Sequence, residues 1–275
     1  MIPSCFLYQI TDGGRKEKNL SNRESLKIAQ ETGIKNVDIN AATFDSVPVE
    51  DIKALLEEFD MTMCVHSARL CDFSSEDGYK KSFESMKNDL LTAKKGGSKD
   101  LMAVPLMKEP EIENARDYTE SFMRIFKDLA EVGKQIGVCV TVENYSDTRL
   151  PFSTIDDIKR ILEITPDLYY NLDSGNFTLA GEDAVKGAEA FLDKTVNVHL
   201  KDVAESENGT IVRRGIKYDC VALGEGMVDN YKILQLLKGA GYSGYITSEV
   251  TSPLFDRSIE SVKYIRNFIE NSKEN

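Results

Sequence analysis

A short apolar run followed by a longer amphipathic one recurs along almost the whole chain, and that alternation limits the fold more than any other feature. Cys5 to Ile10, Asn36 to Asn40, Met61 to Ser67, Leu101 to Leu106, Val138 to Tyr145, Asp167 to Asp173, Thr195 to Asp202 and Tyr245 to Thr251 read as strands. Residues 22–33, 48–59, 78–95, 115–136, 153–163, 182–194, 228–241 and 256–271 carry apolar side chains at helical spacing, with glycine stops such as Gly33 and Gly137. Strands separated by helices call for a parallel sheet with helical crossovers. Eight such units in about 250 residues are what a closed (β/α)8 barrel, the TIM barrel, uses. The alternation lapses once, over 203–226, where Asn208-Gly209, Gly215 and Gly224-Glu-Gly226 mark a hairpin-like excursion.

A single barrel domain over residues 1–275 is the expectation. No Pro-, Gly- or Ser-rich linker divides the chain, and neither a GxGxxG nor a P-loop pattern supports a doubly wound open sheet, the competing architecture. No apolar run is long enough to span a bilayer or to serve as a signal-peptide core, so no membrane partner is expected and the cytoplasm is the expected compartment. Five cysteines without CxxC spacing, three of them inside strand-like runs, read as small buried hydrophobes in a reducing environment. The formal charge of −12, from 46 acids against 34 bases, opposes attraction to phosphate backbones and disfavours nucleic acid as a partner. Self-association into a homo-oligomer is left open.

In such barrels the side chains at the C-terminal ends of the strands face a common pocket. Alternation says which ones point inward. In the strand at 195–202 the valines and Leu200 share one face and Asn197, His199 and Lys201 the other. Likewise Thr141 and Glu143, Asn171 and Asp173, and Thr247 and Glu249 oppose apolar neighbours. Parallel strands buried on both faces should be nearly all apolar. Four polar inward faces that end in Glu143, Asp173, His199 and Glu249 need a cause, and one shared divalent metal ion supplies it. Any one of these acids alone would be an ordinary solvated rim residue. Three carboxylates and an imidazole suit Mn²⁺, the first choice, or Mg²⁺, Co²⁺, Fe²⁺ or Zn²⁺, and hold too little sulfur for a structural zinc.

Val-Glu-Asn-Tyr around Glu143, Asn-Leu-Asp-Ser-Gly-Asn around Asp173, Val-His-Leu-Lys-Asp around His199, Leu-Gly-Glu-Gly at 223–226 and Gly-Tyr-Ser-Gly-Tyr-Ile-Thr-Ser-Glu ending at Glu249 resemble the xylose isomerase-like barrels, the sugar phosphate isomerase/epimerase family. The resemblance implies that Glu143 and Glu249 bind the metal and also move protons on opposite sides of a substrate, with Asp173 and His199 completing the ligand set. It implies a metal-dependent isomerase or epimerase acting on a small sugar or polyhydroxy carbonyl compound through a metal-stabilised enediolate. A metal-dependent lyase or dehydratase on a keto-sugar or inosose is the alternative, because it starts from the same proton abstraction. Many members carry a substrate-contacting His three residues after the metal aspartate. Asn176 stands there instead, which takes support from inosose dehydratase and ketose epimerase readings. An apurinic-site endonuclease needs a three-zinc cluster with additional histidines, and the chain has only His66 and His199. A sugar-binding barrel without catalysis is the remaining reading.

Further pocket candidates follow from position. His66 ends the third strand, on the same inward face as Cys64, and is as well explained by packing as by substrate contact. Lys201 could grip a substrate oxygen or pair with Glu143 or Asp173. Asn176 could hydrogen-bond a hydroxyl, and Tyr8 on strand one, with Asp38 and Asn40 on strand two, could add polar groups. Arg213 and Arg214 in the excursion could form a lid or meet a phosphate, although paired arginines in polar loops are usually solvated. Gly224-Glu-Gly226 reads as a turn.

Overall fold

The computed structural model describes residues 1–108, 111–251 and 254–271. Eight parallel strands close into a barrel: β1 (Ile2–Phe6), β2 (Asn36–Asn40), β3 (Thr62–Leu70), β4 (Asp100–Leu106), β5 (Cys139–Glu143), β6 (Leu168–Asp173), β7 (Thr195–Leu200) and β11 (Tyr245–Ser248). Each strand pairs with its neighbours in chain order, and β11 closes the ring on β1 through Ile2↔Tyr245 to Cys5↔Ser248. The excursion forms a separate antiparallel sheet of β8 (Asp202–Glu205), β9 (Ile211–Arg213) and β10 (Ile216–Val221), in the order β8-β10-β9.

The helices are α1 (Leu7–Lys18), α2 (Asn22–Thr32), α3 (Val49–Glu57), α4 (Glu76–Gly96), α5 (Thr119–Ile136), α6 (Ile155–Ile164), α7 (Ser174–Ala180), α8 (Ala184–Ala190), α9 (Asn230–Gly239) and α10 (Leu254–Asn271). Local chemistry starts several of them. Ser21 with Glu24 and Thr154 with Asp157 form reciprocal capping boxes, and Ser75 caps α4. The main apolar core lies between strands and helices: Val37, Val65, Val140, Val142, Val198 and Ile246 are all buried on the outward strand faces. None of the described helices is long and apolar enough to cross a membrane.

Three local expectations change. The first strand is Ile2–Phe6, and Leu7–Ile10 already belong to α1, so Tyr8 sits on a helix and not on strand one. A short apolar run cannot by itself separate strand from helix. Gly13 and Gly14 also disguise α1, since glycine disfavours a helix interior. They are tolerated because a Cβ on Gly13 would lie 2.9 Å from Leu254 Cβ and one on Gly14 would lie 2.1 Å from Ser25 Oγ, so close packing against α10 and α2 decides the residue. The second change is at 115–136, where a 3-10 segment (Glu111–Tyr118) precedes α5. The third is α7, which occupies the stretch after Asp173 that the sequence assigned to neither a strand nor a helix.

Candidate metal centre

Four strand ends bring their polar side chains together. Ligand-capable atoms of Glu143, Asp173, His199 and Glu249 all lie within 4.8 Å of one another. The residues do not stand on one rung of the sheet: Asp173 pairs with His199, Glu143 pairs with Asn171 and Thr247 pairs with His199, which leaves Glu249 one residue past the end of β11. Strand tilt in a closed barrel brings such staggered positions to a common centre. Glu249 is held beyond its strand by its own N–H, which donates to Leu200 O at 2.9 Å.

Each side chain is fixed from behind. Asp173 is the N-cap of α7, and its Oδ1 accepts the Asn176 N–H at 2.8 Å, which leaves Oδ2 for the pocket. Glu143 Oε1 accepts from Asn171 Nδ2 at 2.8 Å. Asn144, the Asn of the Val-Glu-Asn-Tyr motif, to which the sequence assigned no role, locks the segment after β5 to β6: its Oδ1 accepts the Asp173 N–H at 2.9 Å and the Tyr170 hydroxyl at 2.6 Å, and its Nδ2 donates to Asp173 O at 2.8 Å. His199 Nε2 lies 2.8 Å from Asp38 Oδ2, with both side chains buried. Asp38 was expected as a pocket polar group and instead orients the imidazole. Its place on the inward, polar face of β2 was the available signal.

His199 Nδ1 faces the acids, 2.9 Å from Glu143 Oε1 and 3.4 Å from Glu249 Oε2. Neither His199 Nδ1 nor Asp173 Oδ2 makes a well-aligned hydrogen bond despite these short approaches. Asp173 Oδ2 has the Lys201 ammonium 3.0 Å away, and the ligand atoms of all four residues lie close enough together for one cation to bridge the space between them. If Asp38 accepts a proton from Nε2, Nδ1 presents a lone pair to that space, as a metal ligand must. Without a metal, a proton on Nδ1 has to separate it from the carboxylates. Burial by itself lowers the imidazole pKa, yet the adjacent carboxylates of Asp38, Glu143 and Glu249 hold it well above its ordinary value. The donor set is rich in oxygen with one nitrogen and suits a divalent ion.

Lys201 is a second cation in the cluster. Its Nζ lies 2.7 Å from Glu249 Oε1 and 3.0 Å from Asp173 Oδ2, so of the two expected partners it meets Asp173, and Glu249 takes the place of Glu143. Gly175 lets it through: a Cβ there would lie 2.7 Å from Lys201 Cβ and Cγ. Burial opposes the lysine charge, but Asp173 and Glu249 raise its pKa well above normal. Burial also raises the Glu249 carboxyl, and Lys201 and His199 override it, so Glu249 is held far below the usual carboxylate range. For Asp173, burial wins over Lys201, and with the Glu249 and Glu143 charges it pushes the carboxyl up to about 7.

Asn176 spends its amide inside the protein, accepting from Lys201 Nζ at 3.0 Å and donating to Asn144 O at 3.0 Å. His66 and His199 flank the Phe6 ring, with centroids 5.4 and 5.1 Å away. Burial pushes the His66 imidazole down to about 4, so it is neutral, and its Nδ1 is buried with no partner. Tyr8 stacks obliquely on Phe6 at 5.6 Å and remains exposed, near enough to Glu249 that, after burial of the ring, the carboxylate raises its hydroxyl pKa. Asn40 turns away to cap the short 3-10 segment that follows β2, where its Oδ1 accepts the Ala42 N–H. Gly224 and Gly226 donate their N–H groups to Asp202 Oδ2, a turn as expected.

The model of the family described as xylose isomerase-like TIM barrel matches residues 26–268. The chain belongs to that family. Among curated proteins it resembles inosose isomerase of Halalkalibacterium halodurans, 26% identical over 65% of this chain and 62% of that one. It also resembles inosose dehydratase of Clostridium perfringens, 24% identical over 50% of each chain. The match thus spans between half and two thirds of the length of these two relatives. Two solved structures share the fold at a TM-score of 0.74. One is the IOLI protein with a binding zinc atom (17% identity, 98% of this chain and 97% of that chain). The other is D-allulose 3-epimerase from Methylomonas sp. (18% identity, 98% of each).

Proposed function

We propose that this family member is a divalent-metal-dependent isomerase or epimerase of a small sugar or polyhydroxy carbonyl compound. The observation that carries the reading is the placement of Glu143 and Glu249. They reach the pocket from β5 and from the end of β11, with β6 and β7 between them in the barrel, and both approach His199 Nδ1. The names of the relatives, an inosose isomerase and a D-allulose 3-epimerase, support the same chemistry.

In this reading Glu143, Asp173, His199 and Glu249 hold the ion, with Mn²⁺ the first choice and Mg²⁺, Co²⁺, Fe²⁺ and Zn²⁺ served by the same donors. When bound, the ion polarises a substrate carbonyl and its neighbouring hydroxyl, which eases removal of the proton alpha to the carbonyl. Glu143 and Glu249 take and return that proton on opposite sides of the substrate. Glu249 is ready as a base because Lys201 and His199 keep it ionised. Lys201 keeps its own proton and offers N–H donors to a substrate oxygen. Neutral His66 contributes a ring nitrogen without adding charge, Tyr8 borders the entrance, and Asn176 acts by steadying Lys201. The substrate is a small molecule and the compartment the cytoplasm, in keeping with five free cysteines.

A metal-dependent dehydratase is the second reading, favoured by the inosose dehydratase match. It begins with the same proton abstraction and ends with loss of water. The test is a screen of ketoses, inososes and hydroxypyruvate with added Mn²⁺ in deuterated water. Deuterium at the substrate carbon with no loss of water is the expected result, and loss of water identifies the dehydratase. Elemental analysis should find a divalent metal in the wild type and a large loss of it in Glu143→Gln and Glu249→Gln. A metal-free wild type under metal-replete conditions overturns the proposal.

A further inference from the structure

The excursion leaves the barrel beside the acid cluster and lands beside it again. It starts at Asp202, three residues after His199, and its tip touches Ser146, just after Glu143, and the end of α7, the helix that follows Asp173. β9 and β10 are joined by Arg214 and Gly215, both with positive φ (51° and 78°), and the residues on either side, Arg213 and Ile216, pair. A two-residue turn of this type favours Asn or Gly at its first position, and an arginine there costs about 1 kcal/mol. The Arg214 side chain supplies the compensation. It donates to the carbonyls of Leu179 at 3.2 Å and Thr178 at 3.4 Å, at the C-terminal end of α7, where the helix dipole favours a cation; Thr178 O also accepts the Gly181 N–H at 3.1 Å. Arg214 therefore pins the tip to the helix that Asp173 begins.

Arg213 is placed differently. Its Nε and Nη2 lie 3.3 Å from Ser146 Oγ and its Nη1 donates to Val212 O at 2.8 Å, so it makes no ion pair among the described residues. Asp147, whose carboxyl the Arg213 charge helps to hold low, is already bound by Arg149 at 2.6 Å, and Arg149 also pairs with Glu113. Ser146, Asp147, Arg149, Arg213 and Arg214 line a cavity of about 330 Å³. That volume is in the range of small-molecule sites. Three arginines line it against Asp147, with Glu113 reaching Arg149 from outside the lining, so the hollow keeps a surplus of positive charge in a chain of charge −12. It also sits close to the metal centre, because Ser146 is three residues from Glu143, which puts their Cα atoms within about 11 Å.

We infer that this hollow is an anion subsite, in which Arg213 receives a phosphate or carboxylate group at the far end of the substrate while the carbonyl end lies at the acid cluster. The inference rests on the proposed isomerase reading and narrows its substrate class to anionic polyhydroxy carbonyl compounds. A guanidinium held by one hydroxyl and one carbonyl keeps N–H donors for the forked hydrogen bonds that oxyanions accept.

Isothermal titration of inorganic phosphate into metal-loaded protein tests it without turnover, at constant ionic strength. The expected result is binding whose Kd rises about tenfold or more in Arg213→Ala. Lys217→Ala, which removes the same charge elsewhere on the hairpin, should leave it unchanged. Titration of acetate in a second arm distinguishes a carboxylate site from a phosphate site by which anion shows the Arg213 dependence. If neither anion binds, or if the two variants weaken binding alike, or if binding ignores Arg213 as it would at the metal, the inference is overturned. A silent titration leaves the isomerase reading intact, and a failed substrate screen leaves an Arg213-dependent anion site intact.

Discussion

Replacing Asp38 by Asn tests the metal centre from behind, without touching a proposed ligand. Asp38 Oδ2 lies 2.8 Å from His199 Nε2, and Asp38 Oδ1 accepts from Asn36 Nδ2 at 3.4 Å. The carboxylate serves both neighbours because both of its atoms are acceptors. An amide has only one oxygen. If that oxygen turns to Asn36, the NH2 group faces His199 Nε2, makes it an acceptor and moves the imidazole proton to Nδ1, the atom that points at Glu143 and Glu249. A protonated Nδ1 cannot bind a metal. If the oxygen turns to His199, the tautomer survives but a neutral acceptor replaces a charged one, which makes the imidazole a poorer donor to the metal. Outer partners of this kind are typically worth about 10–100-fold in metal affinity. We expect Asp38→Asn to weaken Mn²⁺ binding by about that factor, equivalent to about 1.4–2.7 kcal/mol. Competition against a chelator of known affinity measures it, with circular dichroism confirming that the barrel is folded. An affinity within about twofold of wild type, far short of the expected loss, would show that Asp38 does not set the state of His199.

The apparent metal affinity should fall as pH drops through 7, since the metal-free protein binds protons that the ion displaces: Asp173 is pushed up to about 7 and the His199 pKa is raised. Chelator competition at pH 6 and pH 8 reads this, and equal affinities refute it. Asp100 is buried inside the barrel, and burial together with the Asp38 charge pushes it up to about 7 from 3.8. Its folded-state pKa lies above the unfolded value, so the stability linked to it is present in acid and is lost as pH rises from about 4 through 7. The Tm of metal-free Asp100→Asn should therefore fall less between pH 5 and pH 8 than that of the wild type, and parallel profiles would contradict this. Gly175→Ala places a methyl 2.7 Å from the Lys201 stem and should cost about 1–3 kcal/mol by urea denaturation, with Lys201 displaced from Asp173; a neutral substitution would mean that α7 can move away.

The depth to which the site could be read from sequence varied with the kind of signal. Inward alternation at strand ends located Glu143, Asp173, His199 and Glu249, because a strand has a period of two and a barrel has one inside. The same logic named Lys201 as inward and offered Glu143 or Asp173 as its partner; the structure gives it Asp173 together with Glu249, since periodicity carries no information on which neighbouring strand end a long side chain will reach. Asn144 stands in the Val-Glu-Asn-Tyr motif, but its role could not be read there: it lies just past β5, and its three hydrogen bonds to Tyr170 and Asp173 exist only once β5 and β6 are adjacent. Tyr8 was placed on the wrong element because packing of Gly13 and Gly14 against distant residues makes a helix where local propensity argues against one.

By itself the sequence determined the repeating strand-helix order, hence the closed barrel, and the polar residues that face its interior. These are local properties, fixed by periodicity and by capping and turn chemistry at each element. Tertiary structure alone decided how those residues pair. Strand tilt brings Glu143, two rungs out of step with Asp173, to the same centre, and Asp38, three strands away around the barrel from β7, takes hold of His199. The excursion, legible only as a run of turns, closes back over the segments after β5 and β6 with an arginine pinned to α7. Contacts between residues far apart in the chain depend on barrel closure and register, and no local pattern encodes them.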